Sequence, residues 1–187
     1  MRLGPFFPVF SLMLAGCASL TEPRAELPEV TRVRVSFTPQ GGGDTISAYL
    51  DDPDGAGPMP VSAQVGNLVF RTGTTYVGSI TLEHRLLPTA VDLTDIVEDR
   101  ASEYRVYHAV AGGLTGAGFI VTPTDVDARN RPLGLSFTAA VHPTVGGESG
   151  TLIVTLCEYL TVSKSSTATE CVGEAKVTAR FAMSAID

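Results

Sequence analysis

The chain has 187 residues, of which 44% are hydrophobic, and its length favours a single domain. Its 13 Lys and Arg against 20 Asp and Glu give a formal net charge of −7, which argues against a surface that neutralises nucleic-acid phosphates. The 19 Gly and 12 Pro predict many turns, and therefore many short strands.

The first 16 residues have the pattern of a secretory signal peptide. Arg2 supplies one positive charge, and an apolar run follows from position 3 to 14, interrupted by Gly4, Pro5 and Pro8. The run is too short to cross a membrane as a helix, which needs about 20 residues. We therefore interpret residues 1–16 as a cleaved signal segment.

The signal ends in Leu14-Ala15-Gly16-Cys17, which resembles the lipobox of bacterial lipoproteins. The resemblance implies cleavage before Cys17, a diacylglycerol on its thiol and an acyl chain on its new amine. The alternative is a general signal peptide with a chance cysteine. Because Ala18 and Ser19 follow, the Asp that retains many such lipoproteins at the inner membrane is absent, and an outer-membrane location is expected. Several acyl chains make such attachment effectively permanent.

Residues 17–29 are predicted to form a lipidated cysteine followed by a flexible tether. The stretch from Thr21 to Glu29 is polar, contains two Pro and has no apolar periodicity. The folded domain is expected to comprise residues 30–187. The lipid at Cys17 is the expected membrane contact, and the side of the outer membrane that the domain faces stays open.

From position 30 onward, apolar residues alternate with polar ones, as expected for strands with one buried face. In the first such segment Val33, Val35 and Phe37 alternate with polar residues. Similar patterns, weaker in the third and fourth, predict strands at residues 31–38, 45–51, 61–65, 68–70, 75–83, 104–110, 119–122, 133–141, 151–156 and 172–183.

One segment departs from the alternating pattern. Leu93, Ile96, Val97 and Ala101 follow helical spacing, and acidic residues crowd the first turns, which predicts one short helix. Short strands about ten residues apart and joined by Gly and Pro turns are typical of an antiparallel sandwich or barrel. We expect an all-β, immunoglobulin-like antiparallel β-sandwich of about eight or nine strands with one short helix.

Two cysteines remain if Cys17 carries lipid. Cys157 and Cys171 lie at the end of one predicted strand and the start of the next, in an oxidising compartment, and are predicted to form a disulfide. The pairing would lie on the outer face of the sheet, because Cys157 alternates with the apolar residues of its strand. A thiolate metal site is less well supported, since it needs three or four closely spaced ligands.

Motifs that carry catalytic or metal chemistry are weak. His84, His108 and His142 are more than 20 residues apart, and we interpret them as residues at strand ends. Asp125 and Asp127 have the spacing of a calcium loop, but Arg129 takes the next ligand position and opposes a cation, so a hairpin turn is predicted there. The sequence predicts no catalytic residues, no metal, no cofactor and no enzyme activity.

Five segments together resemble a family of small Gram-negative bacterial lipoproteins of undetermined function. They are Phe37-Thr-Pro-Gln-Gly-Gly-Gly43, Thr75-Tyr-Val-Gly-Ser-Ile-Thr-Leu82, the acidic segment 92–99, Asp125-Val-Asp127 with Pro132-Leu-Gly-Leu135, and Ser149-Gly-Thr-Leu-Ile-Val-Thr-Leu156. Relatives often have His where this chain has Tyr104 and Glu158, so a histidine-based metal role does not carry over. The resemblance implies a lipoprotein and a β-sandwich, without a reaction.

The sequence therefore predicts an outer-membrane lipoprotein that acts as a non-catalytic binding or accessory module. Its expected partners are the membrane, through Cys17, and an outer-membrane protein or receptor, with no nucleic acid. The alternative is a passive structural envelope or surface lipoprotein without a specific ligand. β-Sandwiches commonly bind receptors or small ligands through their loops, which is an analogy at the level of the fold.

Overall fold

The computed structural model describes residues 25–55, 58–86 and 88–187. Residues 1–24 lie outside this part of the chain, and with them the predicted signal, the lipobox and Cys17. The elements are β1 (Arg32–Pro39), β2 (Ile46–Asp51), β3 (Leu68–Arg71), β4 (Thr75–His84), β5 (Val91–Asp92), α1 (Thr94–Asp99), β6 (Tyr104–Gly112), β7 (Phe119–Pro123), β8 (Ser136–Val141), β9 (Ser149–Glu158) and β10 (Glu174–Ile186).

The strands form two sheets, which confirms the predicted β-sandwich. The first sheet has the order β2-β1-β4-β8-β7, with β5 paired to β4, and the second has the order β3-β10-β9-β6. Every pairing is antiparallel apart from that of β3 with β10, which is parallel. Ten strands in the described residues exceed the expected eight or nine, because the two-residue β5 has too short a pattern to detect.

The core lies between the sheets and is built from the alternating positions that the sequence marks. Val33, Val35 and Phe37 of β1 face Phe181 and other residues of the second sheet, and all are at most 3% exposed. Phe37 lies edge-on to the rings of Phe70, Phe119 and Phe137, at centroid distances from 4.8 to 6.3 Å. Such edge-to-face pairs are favourable beyond the area they bury.

The helix α1 is shorter than its pattern and buries two of the four predicted residues. Leu93, its N-cap, and Val97 are fully buried, whereas Ile96 and Ala101 are half-buried. The backbone N–H of Thr94 donates to the carboxylate of Asp92, just before the helix. The segment 61–65, by contrast, is not a strand. Val61 and Val65 are about half exposed, and only Val65 forms a bridge, with Tyr49 of β2.

Buried residues precede β1. Leu27 and Val30 are each 5% exposed and belong to the same core as the strands. Leu27 falls within the segment 17–29 for which the sequence predicts a tether. The packed part of the chain therefore begins at least three residues before position 30.

Candidate functional site

An apolar groove runs between the two sheets beside β10. It has a volume of about 240 Å³, and Val30, Val33, Leu50, Val61, Val177 and Ala179 supply its apolar lining. Val61 is 51% exposed at the rim, whereas Val33 and Ala179 are buried at the floor. A concave apolar surface with a few polar groups at its margin is the usual form of a binding site.

The groove exposes a free strand edge because β3 is much shorter than β10. β3 pairs only with the four residues from Met183 to Ile186. At the next position the side chain of Gln64 takes the place of a strand: its amide donates to the carbonyl of Ala182 at 3.1 Å, and its carbonyl accepts the N–H of Ala182 at 2.7 Å. Gln64 thus ends the ladder on this side of β10.

Beyond Gln64 the edge of β10 continues without a partner strand in the described residues. In an antiparallel pair, the backbone groups of alternate residues point away from the neighbouring strand. Since those of Ala182 point away from β9, those of Arg180 and Thr178 point the same way, and Thr178 also lines the groove. An edge of this kind is the template that an extended peptide recognises in β-strand addition.

A buried polar cluster closes the end of the sandwich where the chain enters β1. Glu158, 3% exposed, accepts a hydrogen bond from the hydroxyl of Tyr104, and Arg100 and Lys176 each lie 3.5 Å from its carboxylate. Burial lowers the pKa of Lys176, but hydrogen bonding to Glu174 and the charge of Glu158 outweigh it, so this pKa is raised. Tyr104 and Glu158, which are 54 residues apart in the sequence, are thus brought into contact.

A second buried cluster joins two loops of the described chain. Asp127 is 5% exposed, and its carboxylate accepts hydrogen bonds from the backbone N–H groups of Arg129 and Arg131 and from the Arg131 guanidinium. The ammonium of Lys164, whose side chain is 0% exposed, lies 3.4 Å from the carboxylate and donates to the carbonyl of Ala101. Because these partners are buried, the cluster has a structural role rather than that of an exposed ligand site.

The electrostatics of this second cluster follow from its burial. Burial alone would raise the pKa of Asp127, but the two backbone N–H groups, the charge of Lys164 and the hydrogen bond from Arg131 outweigh it and lower the pKa to about 2. Burial lowers the pKa of Lys164, and the charge of Asp127 offsets part of that effect. The two backbone donors, together with Lys164 and Arg131, therefore keep Asp127 ionised over most of the pH range.

The loop from 125 to 135 is the predicted hairpin turn. Asn130 has a φ of 56°, and Val126 pairs with Pro132 across the turn. Asp125 accepts hydrogen bonds from three backbone N–H groups, those of residues 134, 135 and 136, at 2.6 to 2.9 Å. Both acidic side chains of the calcium-like pattern are thus used by protein donors.

Cys157 and Cys171 lie at disulfide distance, with sulfurs 1.98 Å and Cα atoms 5.6 Å apart. Cys157 is buried in a small cluster with Tyr107 and Tyr159, separate from the main core, as the strand alternation predicts. The two tyrosine hydroxyls are hydrogen-bonded, and burial raises the pKa of Tyr159. Formation of the bond in the cell stays a prediction.

Two of the three histidines lie at strand ends as expected, His84 at the end of β4 and His142 directly after β8, but the interpretation is wrong for His108, which lies in the middle of β6. His84 binds the carbonyl of Glu29 and His142 binds Thr144, whereas the ring of His108 packs 4.5 Å from that of Phe137. The Nε2 atom of His108 is buried and has no hydrogen-bond partner within the described ranges. The described part of the chain contains no group of three His, Cys, Asp or Glu placed to hold a metal ion.

His108 makes the stability of the domain sensitive to mild acid. Burial, with the charge of Arg105, lowers the pKa of His108 from 6.5 to about 4. Since the unfolded chain binds a proton near pH 6.5 and the folded chain does not, stability is expected to fall by roughly 2–3 kcal/mol as the pH drops from 6.5 to 4. Urea unfolding at a series of pH values measures this, and His108→Leu should remove the dependence over that interval.

The matched control is His142→Leu, which replaces an exposed histidine and should leave the pH dependence of the wild type unchanged. Equal slopes for the wild type and His108→Leu between pH 6.5 and 4 would show that another group titrates there.

Comparison of the chain with protein-family models, with curated proteins and with solved structures found no match.

Within the part of the chain that the structure describes, no helix has the length and apolarity needed to cross a membrane.

Proposed function

We propose that the protein is an outer-membrane-anchored lipoprotein that acts as a non-catalytic binding or accessory module. The observation that carries the binding role is the apolar groove beside β10 with its open strand edge at Thr178 and Arg180. The anchor rests on the resemblance of Leu14-Ala15-Gly16-Cys17 to a lipobox. The domain faces the periplasm or the cell surface, and its partner is an outer-membrane protein or receptor.

The anchor is tested by labelling cells with an alkyne fatty acid and comparing the wild type with Cys17→Ser. Acylation at Cys17 predicts that the wild type is labelled and the variant is not. Equal labelling of the two chains would contradict the anchor.

The binding role is tested by placing a photo-crosslinking amino acid at Val61 in the full chain, in its native envelope. Val61 lies at the rim of the groove and is 51% exposed. The matched control is Val77, which has the same side chain and is 52% exposed on the first sheet. We expect a discrete adduct of constant mass with the probe at Val61, and none with the probe at Val77.

Adducts of equal yield at both positions would show nonspecific contact and contradict a site in the groove. Absence of an adduct at both, with acylation intact, would favour the passive envelope lipoprotein. Proteomic analysis of the adduct then identifies the partner.

A further inference from the structure

The loop between β9 and β10 has an almost uncharged surface. Between Glu158 and Glu174 the only charged side chains are Lys164 and Glu170. The Lys164 side chain is 0% exposed and paired with Asp127, which leaves Glu170 as the one exposed charge of residues 159–173.

The same loop displays three aliphatic side chains to the outside. Leu160 is 55% exposed, Val162 43% and Val172 56%, with hydroxyl residues at the intervening positions 161 and 163. These three side chains give the loop an exposed apolar surface that is available to a partner.

The loop is held in a fixed position, so these side chains are presented rather than mobile. The Cys157 and Cys171 pair closes its base, the Lys164 ammonium is fixed between Asp127 and the carbonyl of Ala101, and Arg105 donates to the carbonyl of Ser165 at 2.7 Å. A pre-organised apolar surface loses little conformational entropy when it binds.

The loop lies at the end of the sandwich where the described chain begins. The N–H of Tyr159 donates to the carbonyl of Glu103 at 2.7 Å. The guanidinium of Arg100 donates both to the carboxylate of Glu103 and to the carbonyl of Ala25. Ala25 follows Cys17 by eight residues. Eight extended residues span at most about 28 Å, so an acyl group on Cys17 keeps Ala25, at this end of the domain, within that distance of the bilayer.

We propose that residues 159–173 rest on the lipid surface, with Leu160, Val162 and Val172 inserted at the level of the headgroups. The proposal deepens the proposed function and rests on its lipid anchor. The tether brings the bilayer to this end of the domain, the aliphatic side chains enter the interface, and the hydroxyls at 161 and 163 meet the headgroups. The groove, which starts at Val30 near the same end, then opens beside the membrane.

The chain contains no Trp, so a single introduced Trp reports the depth of one position. The full acylated protein is reconstituted as Val162→Trp or Val77→Trp into phosphatidylcholine vesicles with brominated acyl chains. Val77 is the matched control because it lies away from the end of the sandwich where the chain enters β1. At that end Arg32 of β1 pairs with Glu83, whereas Val77 pairs with Thr38, six residues and about 20 Å further along the ladder. Circular dichroism confirms that each variant is folded.

We expect bromine to quench Val162→Trp at least about twofold more strongly than Val77→Trp, because interfacial side chains reach about 5–10 Å into the bilayer. Leu160→Trp should repeat the result at a second position of the loop. Equal quenching at the two ends in protein that floats with the vesicles overturns the lipid contact and leaves the anchor standing. Protein that does not float with the vesicles overturns both the anchor and the contact.

Discussion

Replacing Asp127 by Asn should lower the free energy of unfolding by about 3–5 kcal/mol, because it leaves the buried ammonium of Lys164 without its counter-charge. The Lys164 side chain is 0% exposed and lies 3.4 Å from the Asp127 carboxylate, so water does not replace the lost partner. Asn preserves the size of the side chain and one carbonyl acceptor for the N–H groups of Arg129 and Arg131, but it removes the acceptor of the Arg131 guanidinium together with the counter-charge of Lys164. Urea unfolding at pH 7 measures the change.

The double variant Asp127→Asn with Lys164→Met tests whether the unpaired ammonium of Lys164 causes the loss. It removes both charges of the pair, so it should recover part of the stability that Asp127→Asn loses. Asp44→Asn, at an exposed position, is the control and should change stability by less than about 0.5 kcal/mol. A loss below 1 kcal/mol for Asp127→Asn, or no recovery in the double variant, would contradict the role of the pair.

The pH dependence of the wild type gives an independent measurement of Asp127. Its pKa is about 2 in the folded protein against about 3.9 in an unfolded chain. The carboxylate therefore contributes stability that is fully present above pH 3.9 and is lost as the pH falls towards 2. This interval lies largely below that of His108. Because the hydrogen bond from Arg32 also lowers the pKa of Asp51, the difference between the wild type and Asp127→Asn assigns the part that belongs to Asp127.

The architecture could be predicted because the strands bury one face. The alternation of Val33, Val35 and Phe37 with polar residues is a local pattern, and it correctly marks which side chains enter the core. The segment 61–65 has similar composition but is not a strand, because the chain there crosses the edge of β2 and only Val65 forms a bridge. Composition indicates β-propensity, whereas pairing depends on neighbours distant in sequence.

The candidate site could be predicted only where its parts lie close in the sequence. Cys157 and Cys171 flank one loop, so their proximity follows from a simple hairpin. The edge of β10 depends on the length of β3 and on Gln64, which is 118 residues from Ala182. The ion pair of Asp127 with Lys164 joins two loops that no local pattern connects, and the calcium-like spacing around Asp127 points to the wrong class of partner.

Reduction of the Cys157 and Cys171 pair should lower the melting temperature by about 6–12 °C without abolishing folding. Closing a loop of about 15 residues restricts the unfolded chain and is worth about 3 kcal/mol, and each kcal/mol shifts the melting temperature of a domain of this size by about 2–4 °C. Folding should persist because Cys157 belongs to a small outer cluster with Tyr107 and Tyr159, separate from the main core. Thermal circular dichroism with and without dithiothreitol measures the shift.

The control is the double variant Cys157→Ser with Cys171→Ser, whose melting temperature should lie near that of the reduced wild type and should not respond to dithiothreitol. Thiol alkylation followed by intact-mass analysis of protein purified from the envelope without reductant decides whether the bond exists there. Two alkylated cysteines at positions 157 and 171 would contradict it. Loss of the bond also frees the base of the loop that displays Leu160 and Val162. In brominated vesicles, the quenching of Val162→Trp should therefore be weaker in reduced protein than in oxidised protein. This comparison links the stability of the loop to its contact with lipid.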